Sequence, residues 1–256
     1  MIREALKNHY IGMNKEFRFR GEDSTRIETL SDAVFALAIT LLLISSTPPI
    51  TFYQLQAFTK DLVPFAICIT LISLIWYEHF IFFIRYGFRN KYIVFLNILL
   101  LFIVLFYVYP LKFLAKLLVI LFMNFIYIFR HGNSQEIWSE FNFMMEGGTV
   151  TELMVIYGFG AASIFLVLAL MYRYALKKSD ELELSEVERF DTRTSIRTNL
   201  LMASVPILSA LFAATFGETR LGQMSSGFIY FLYTPLMFTH GALVKSARKK
   251  LLENAK

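Results

Sequence analysis

The chain is predicted to be an all-α membrane protein with six transmembrane helices per subunit, and three observations lead there. Its 256 residues are 56% hydrophobic and include 27 Phe, with a mean hydropathy of +0.54, against roughly 45 to 50% apolar residues in soluble domains. The apolar residues are gathered into stretches near the ~20 residues that a membrane-crossing helix needs. The net charge of +5 sits at the ends of those stretches, in clusters such as Lys15, Arg18 and Arg20; Arg85, Arg89 and Lys91; and Lys245, Arg248, Lys249 and Lys250. Bases placed in this way set membrane topology. No basic stripe of the kind that tracks a nucleic acid occurs, so nucleic acid is not an expected partner; the lipid bilayer is.

The spans follow in order. Ile27 to Ser46, Leu62 to Ile84, Tyr92 to Tyr109, Val150 to Tyr174, Leu200 to Phe216 and Phe228 to Val244 each qualify by length and composition. Phe113 to Phe129 is apolar enough for a seventh, although Lys112 and Lys116 interrupt its start. Charge decides between six and seven. With six, the N-terminal arm, the turn from Arg85 to Lys91, the loop from Arg173 to Arg197 and the tail from Lys245 share one side, as the positive-inside rule requires. With seven, the loop carrying Lys177, Lys178, Arg189, Arg193 and Arg197 moves outside. The expected organisation is therefore a cytoplasmic arm over residues 1–24, a six-helix domain over 25–246 and a cytoplasmic tail over 247–256. Residues 111–148 become an external excursion, either a prolongation of the third helix beyond Pro110 or a helix lying at the interface. The cytoplasmic loop 177–197 mixes Asp180, Glu181, Glu183, Glu186 and Glu188 with its bases and reads as a solvated helix or linker. Met1 to Arg20 lacks the apolar core of a cleaved signal peptide. Cys68, the single cysteine, lies in an apolar run and has no intrachain partner for a disulfide.

Asp32 stands in the first apolar stretch, where a carboxylate costs about 2.5 to 3.5 kcal/mol on insertion scales and so faces a partner, a cavity or a pore. Asp32 is six residues beyond Arg26, His79 six before Arg85, and Asn97 six beyond Lys91. At ~1.5 Å of rise per residue all three lie roughly 9 Å inside the cytoplasmic boundary. Ser31 and Trp76 sit near the same level, so a hydrogen-bonded layer can form across three consecutive helices, with Asp32 accepting from Ser, Trp, His or Asn donors and Arg26 as countercharge. Two readings of this layer stand side by side: polar glue for helix packing, or direct participation in transport. Leu37, Leu41 and Ile44 recur at i, i+4, i+7 on the first helix with Thr40 beside them. That stripe is a packing or lipid-facing surface unless it meets its symmetry mates around an axis, where aliphatic rings would make a dewetted constriction.

Other motifs are weaker. Gly158 and Ala162 form a small-xxx-small face on the fourth span, and Pro206 and Pro235 are expected to kink the fifth and sixth. No second His or Cys stands at metal-ligand spacing from His79, and no nucleotide loop, nucleophile elbow, zincin motif or carbonyl filter sequence is present. The chain is not expected to be an enzyme or to need a cofactor.

Arg26, then Leu30-Ser31-Asp32 with Ala33-Val34-Phe35-Ala36 and Thr40-Leu41-Leu42, resembles the R…FSD signature of the transmembrane protein 175 potassium channels, in particular the single-repeat prokaryotic members. Trp76-x-x-His79, then Asn97 followed by Leu100 and Pro110, is similar to that family's second- and third-helix pattern. The one departure is Leu30 where the signature has Phe, a conservative apolar change. The resemblance implies a homotetramer in a cell membrane, both termini cytoplasmic, conducting K+ along an axial pore lined by the first helix. It implies Leu37 as the principal constriction, Leu41 and Ile44 as further rings, Thr40 as a nearby polar layer, and Arg26, Ser31, Asp32, Trp76, His79 and Asn97 as a network tying helices one to three together. The alternative is a secondary transporter using Asp32 and His79 as a coupling pair, which would be expected to carry internal inverted repeats.

Overall fold

The computed structural model describes residues 17–21, 23–44, 50–131, 135–217 and 226–254, and its regular elements are helical. In chain order they are α1 (Arg26–Ile44), α2 (Phe52–Lys60), α3 (Leu62–Tyr86), α4 (Lys91–His131), α5 (Gln135–Met144), α6 (Val150–Lys177), α7 (Glu186–Phe216), a 3₁₀ turn (Ile229–Leu232) and α8 (Tyr233–Asn254). Six of the described helical stretches are long and apolar enough to cross a membrane.

The apolar stretch after Pro110 is not a separate span. α4 continues through Pro110 for 41 residues, about 60 Å at the helical rise, or twice the hydrocarbon thickness. Of the two forms considered for the excursion, the structure takes the prolongation of the third helix. Pro110 removes only one backbone donor, and its own carbonyl gains the Tyr157 hydroxyl as a partner. The level at which α4 leaves the bundle is marked by Lys116, whose Nζ lies 3.7 Å from Oδ1 of Asp61 at the α2–α3 junction. Leu117 is buried there against Leu153 and Tyr157 of α6, and Phe141 and Met144 of α5 close over the same cluster.

α1 lies against α3 and α4, α6 packs on α4 and most extensively on α7, and α8 packs on α7. The α6–α7 contact is close because Gly158 carries no side chain: a Cβ there would come within 2.7 Å of both Ala210 Cβ and the Pro206 carbonyl oxygen. Pro235 falls in the first turn of α8, directly after the 3₁₀ turn. It acts as an entry residue rather than an interior kink, because a helix's first turn has no intrahelical use for the missing N–H.

The segment between α6 and α7 is less solvated than its mixed charges imply. Ser185 and Glu188 form a capping box at the start of α7, and Glu188 is only 3% exposed. Its carboxylate accepts a two-pronged bond from Arg20, at 2.8 and 2.9 Å, and further bonds from the backbone N–H groups of Arg18 and Ser185 at 2.9 and 2.8 Å. Residues 17–21, ahead of α1, are thereby fixed to α7. The same short segment is pinned to the end of α3, where Arg20 and Gly21 N–H donate to the Ile84 carbonyl at 3.2 and 3.0 Å. α3 stops at Gly87, whose φ is +60° and where a Cβ would come within 2.7 Å of the Arg20 carbonyl oxygen.

Candidate pore helix and its polar layer

α1 has two faces. Glu28, Ser31, Phe35, Ala38 and Leu42 are buried in alternating steps of three and four, the seam a helix presents to its own bundle. Phe35, Ala38 and Leu42 join the main core with Cys68 and Ile72 of α3, Leu96 and Leu100 of α4, and Leu168 and Met171 of α6. The opposite face is uncovered: Leu30 is 54% exposed, Leu37 49% and Ile44 68%, and Ala33 and Thr40 on the same face are exposed too. Leu41, one turn beyond Leu37, is set towards the flank and packs partly against the core. The Thr40 hydroxyl donates to the Ala36 carbonyl at 2.8 Å, so its oxygen lone pairs remain available as acceptors on the open face.

The polar layer divides into two parts. In the buried part, His79 Nε2 lies 2.7 Å from Asn97 Oδ1, Asn97 Nδ2 donates to Ser31 Oγ at 2.9 Å, and Ser31 Oγ donates to the Ile27 carbonyl at 2.8 Å. A backbone carbonyl can only accept, so it orients the whole chain: Ser31 gives its proton to Ile27, accepts from the Asn97 amide, and Asn97 Oδ1 is left to accept from His79 Nε2–H. Ser31, His79 and Asn97 are at most 1% exposed. α1, α3 and α4 are thus linked by one directional chain with a polar partner at every step. Phe35 and Phe83, one turn beyond Ser31 and His79, close over the imidazole with ring centroids at 5.7 and 4.7 Å.

In the outer part, Trp76 Nε1 donates to Asp32 Oδ1 at 2.7 Å while Asp32 remains exposed on the subunit surface. Phe80 stacks on the Trp76 ring at 5.5 Å and holds the indole in position. Asp32 and His79 therefore have separate partners. Arg26 is exposed at the start of α1, and among the described residues no ion pair joins it to Asp32.

Sequence reasoning missed the cap on the far end of α1. Lys112 Nζ donates to the Leu42 carbonyl at 3.0 Å, a cation on the negative end of the helix dipole. In the sequence Lys112 reads as an interruption of an apolar run, and the contact with α1 emerges only from the fold.

The buried chain has a measurable energetic consequence. Asn97→Leu removes the acceptor for His79 and the donor for Ser31 at a buried position, where each orphaned group costs about 1 to 3 kcal/mol. Purified Asn97→Leu is expected to lose its native elution profile at a clearly lower temperature than the unmodified chain. An unchanged melting profile would show that the chain of bonds contributes nothing to the bundle.

A family model described as "Endosomal/lysosomal potassium channel TMEM175" matches residues 26–108, the segment that holds both parts of the layer and the open face of α1. A protein of Marivirga tractuosa named "Potassium channel" is 48% identical over 246 residues, 95% of this chain and 97% of that protein. The chain belongs to the TMEM175 family. Among solved TMEM175 structures, the crystal structure of a point variant of the potassium channel MtTMEM175, bound to a nanobody–MBP fusion protein, superposes with a TM-score of 0.78. That likeness comes with 47% sequence identity and covers 91% of this chain and 99% of the other. The prokaryotic-type resemblance read from α1, α3 and the start of α4 therefore extends along nearly the whole chain, and the TMEM175 fold is that of a multi-pass, six-helix membrane protein.

Proposed function

We propose that this TMEM175 protein is a potassium-favouring cation channel, assembled as a homotetramer with α1 from each subunit around the axis. The observation that carries this reading is Asp32. It sits on the uncovered side of α1, roughly 9 Å inside the membrane boundary, with only Trp76 as its partner among the described residues. A carboxylate left open at that depth is tolerated beside water or a neighbouring subunit and not beside lipid tails. The aliphatic stripe occupies another part of the uncovered surface, with Leu37 about 140° round the helix from Asp32, and supplies the rest: Leu37, with Leu41 and Ile44, forms the constricting rings, and Thr40 offers a polar layer between them. Ions shed part of their hydration at such rings, and K+ gives up water more readily than Na+, so the rings favour K+ to a finite degree. Ser31, Asp32, Trp76, His79 and Asn97 hold α1 against α3 and α4, with Arg26 at the inner mouth. The chain resides in a cell membrane with both termini cytoplasmic.

The test is the reversal potential of the purified protein in planar bilayers under opposed KCl and NaCl. Ohmic current reversing towards the K+ equilibrium potential is the expected result; flux only in the presence of a proton or second-solute gradient would replace the channel with a coupled transporter. In the same assay, Asp32→Asn should conduct and elute as the unmodified protein does. An amide oxygen still accepts from Trp76, and the change in stability should stay below about 1 kcal/mol. A loss of current with the tetramer intact would make the charge itself, and not its hydrogen bond, the functional element.

A further inference from the structure

Beneath the last turn of α3, between α7 and α8, lies a cavity of about 550 Å³ lined by four basic residues, Arg85, Lys245, Arg248 and Lys249, and one acidic residue, Asp191. Asp191 is spoken for, since Arg248 holds both of its carboxylate oxygens at 3.0 to 3.4 Å. Arg85 is different. It is 9% exposed, its Cζ stands 4.8 Å from the Phe17 ring centre, and its side-chain hydrogen bond among the described residues is a long one, 3.4 Å from Nη1 to Ser195 Oγ. Its Nε has no acceptor there. A guanidinium carries five donors and stays charged, so a buried one with most of its donors unused has been left for an anion. The Phe17 ring lies against the group, and the group itself lines the cavity.

We propose that this cavity holds the phosphate of an anionic phospholipid headgroup. The depth selects a lipid rather than a soluble anion. Arg85 closes the apolar part of α3, and Lys245 follows the apolar part of α8 directly, so the cavity lies at the membrane boundary, where lipid phosphates reside. Arg85 supplies the planar two-pronged contact for the phosphate oxygens, while Lys245 and Lys249, both exposed, draw in the headgroup from the rim. Basic pockets between helices on the inner side are the general form of such sites.

The experiment is native mass spectrometry of the detergent-purified protein titrated with dioleoyl phosphatidylglycerol or dioleoyl phosphatidylcholine. It reads lipid retention and needs no current, so its failure and that of the channel reading are separable. Phosphatidylglycerol is expected to be retained well above phosphatidylcholine. Preference should fall roughly 30-fold in the Lys245→Gln, Lys249→Gln double variant, whose changes are on the surface and leave folding intact, and further in Arg85→Gln. Equal retention of the two lipids, or an undiminished preference in the double variant, overturns the proposal. So does thermal stabilisation by inorganic phosphate with no preference for phosphatidylglycerol, which would assign the cavity to a free anion.

Discussion

Leu37→Ala is expected to lower K+ over Na+ discrimination by about fivefold or more, the equivalent of about 1 kcal/mol of selectivity, and to raise Na+ current through a wider pore. The location of the side chain separates this outcome from a folding defect. Leu37 is half exposed in its own subunit, so removing its branched end leaves no cavity in the core, unlike a truncation at Leu42 on the buried seam, where a loss of about 2 to 5 kcal/mol is usual. The comparison is therefore Leu37→Ala against Leu43→Ala, which removes the same atoms from a similarly exposed position lying away from the Leu30, Leu37 and Ile44 row. Bi-ionic reversal potentials of both variants decide the matter. A change confined to Leu37→Ala would identify the ring, and unchanged discrimination in that variant would take Leu37 out of the filter.

The second large effect is expected in the segment that leads into α1. Arg20→Met should destabilise the protein by about 3 to 5 kcal/mol, because it strips the fork-shaped partner from a carboxylate in the protein interior. The Arg20 side chain is 11% exposed and that of Glu188 4%, so solvent cannot take over the role of the guanidinium. The backbone donors of Arg18 and Ser185 would remain, but they carry no full charge. A double change, Arg20→Met with Glu188→Gln, should recover most of the loss, since a neutral amide is far less costly to bury than an unpaired charge. Thermal unfolding followed by size-exclusion chromatography reads both. If Arg20→Met alone unfolds like the unmodified protein, the pair is not what holds this segment to α7. Because the segment enters α1 within a few residues, its release would also loosen the start of that helix.

The apolar runs could be read from the sequence because each is a local property: a helix in lipid must satisfy its own backbone, so length and composition suffice to locate it. Depth was legible for the same reason, since a constant rise per residue converts spacing from a charged end into position. Ser31, His79 and Asn97 could thus be assigned to one layer before any contact was known. Their partners could not. That Asp32 pairs with Trp76 while His79 turns to Asn97 depends on the rotation of α3 about its axis, which is set by packing against α1 and α4. Charge patterning misled where the charges were long-range partners. Glu188 sits in a run that reads as solvated, and only the fold brings Arg20, 168 residues away, to meet it.

The sequence by itself determined the membrane-spanning class, the number of crossings, the family and the level of the polar layer, all of which follow from composition, spacing and short motifs along one segment. Tertiary structure decided which face of α1 is buried, how α4 prolongs itself past Pro110, which acidic groups are paired in the interior and where a buried guanidinium is left facing a cavity. Those depend on which surfaces meet, and a meeting of surfaces distant in the chain leaves no periodic mark on either of them.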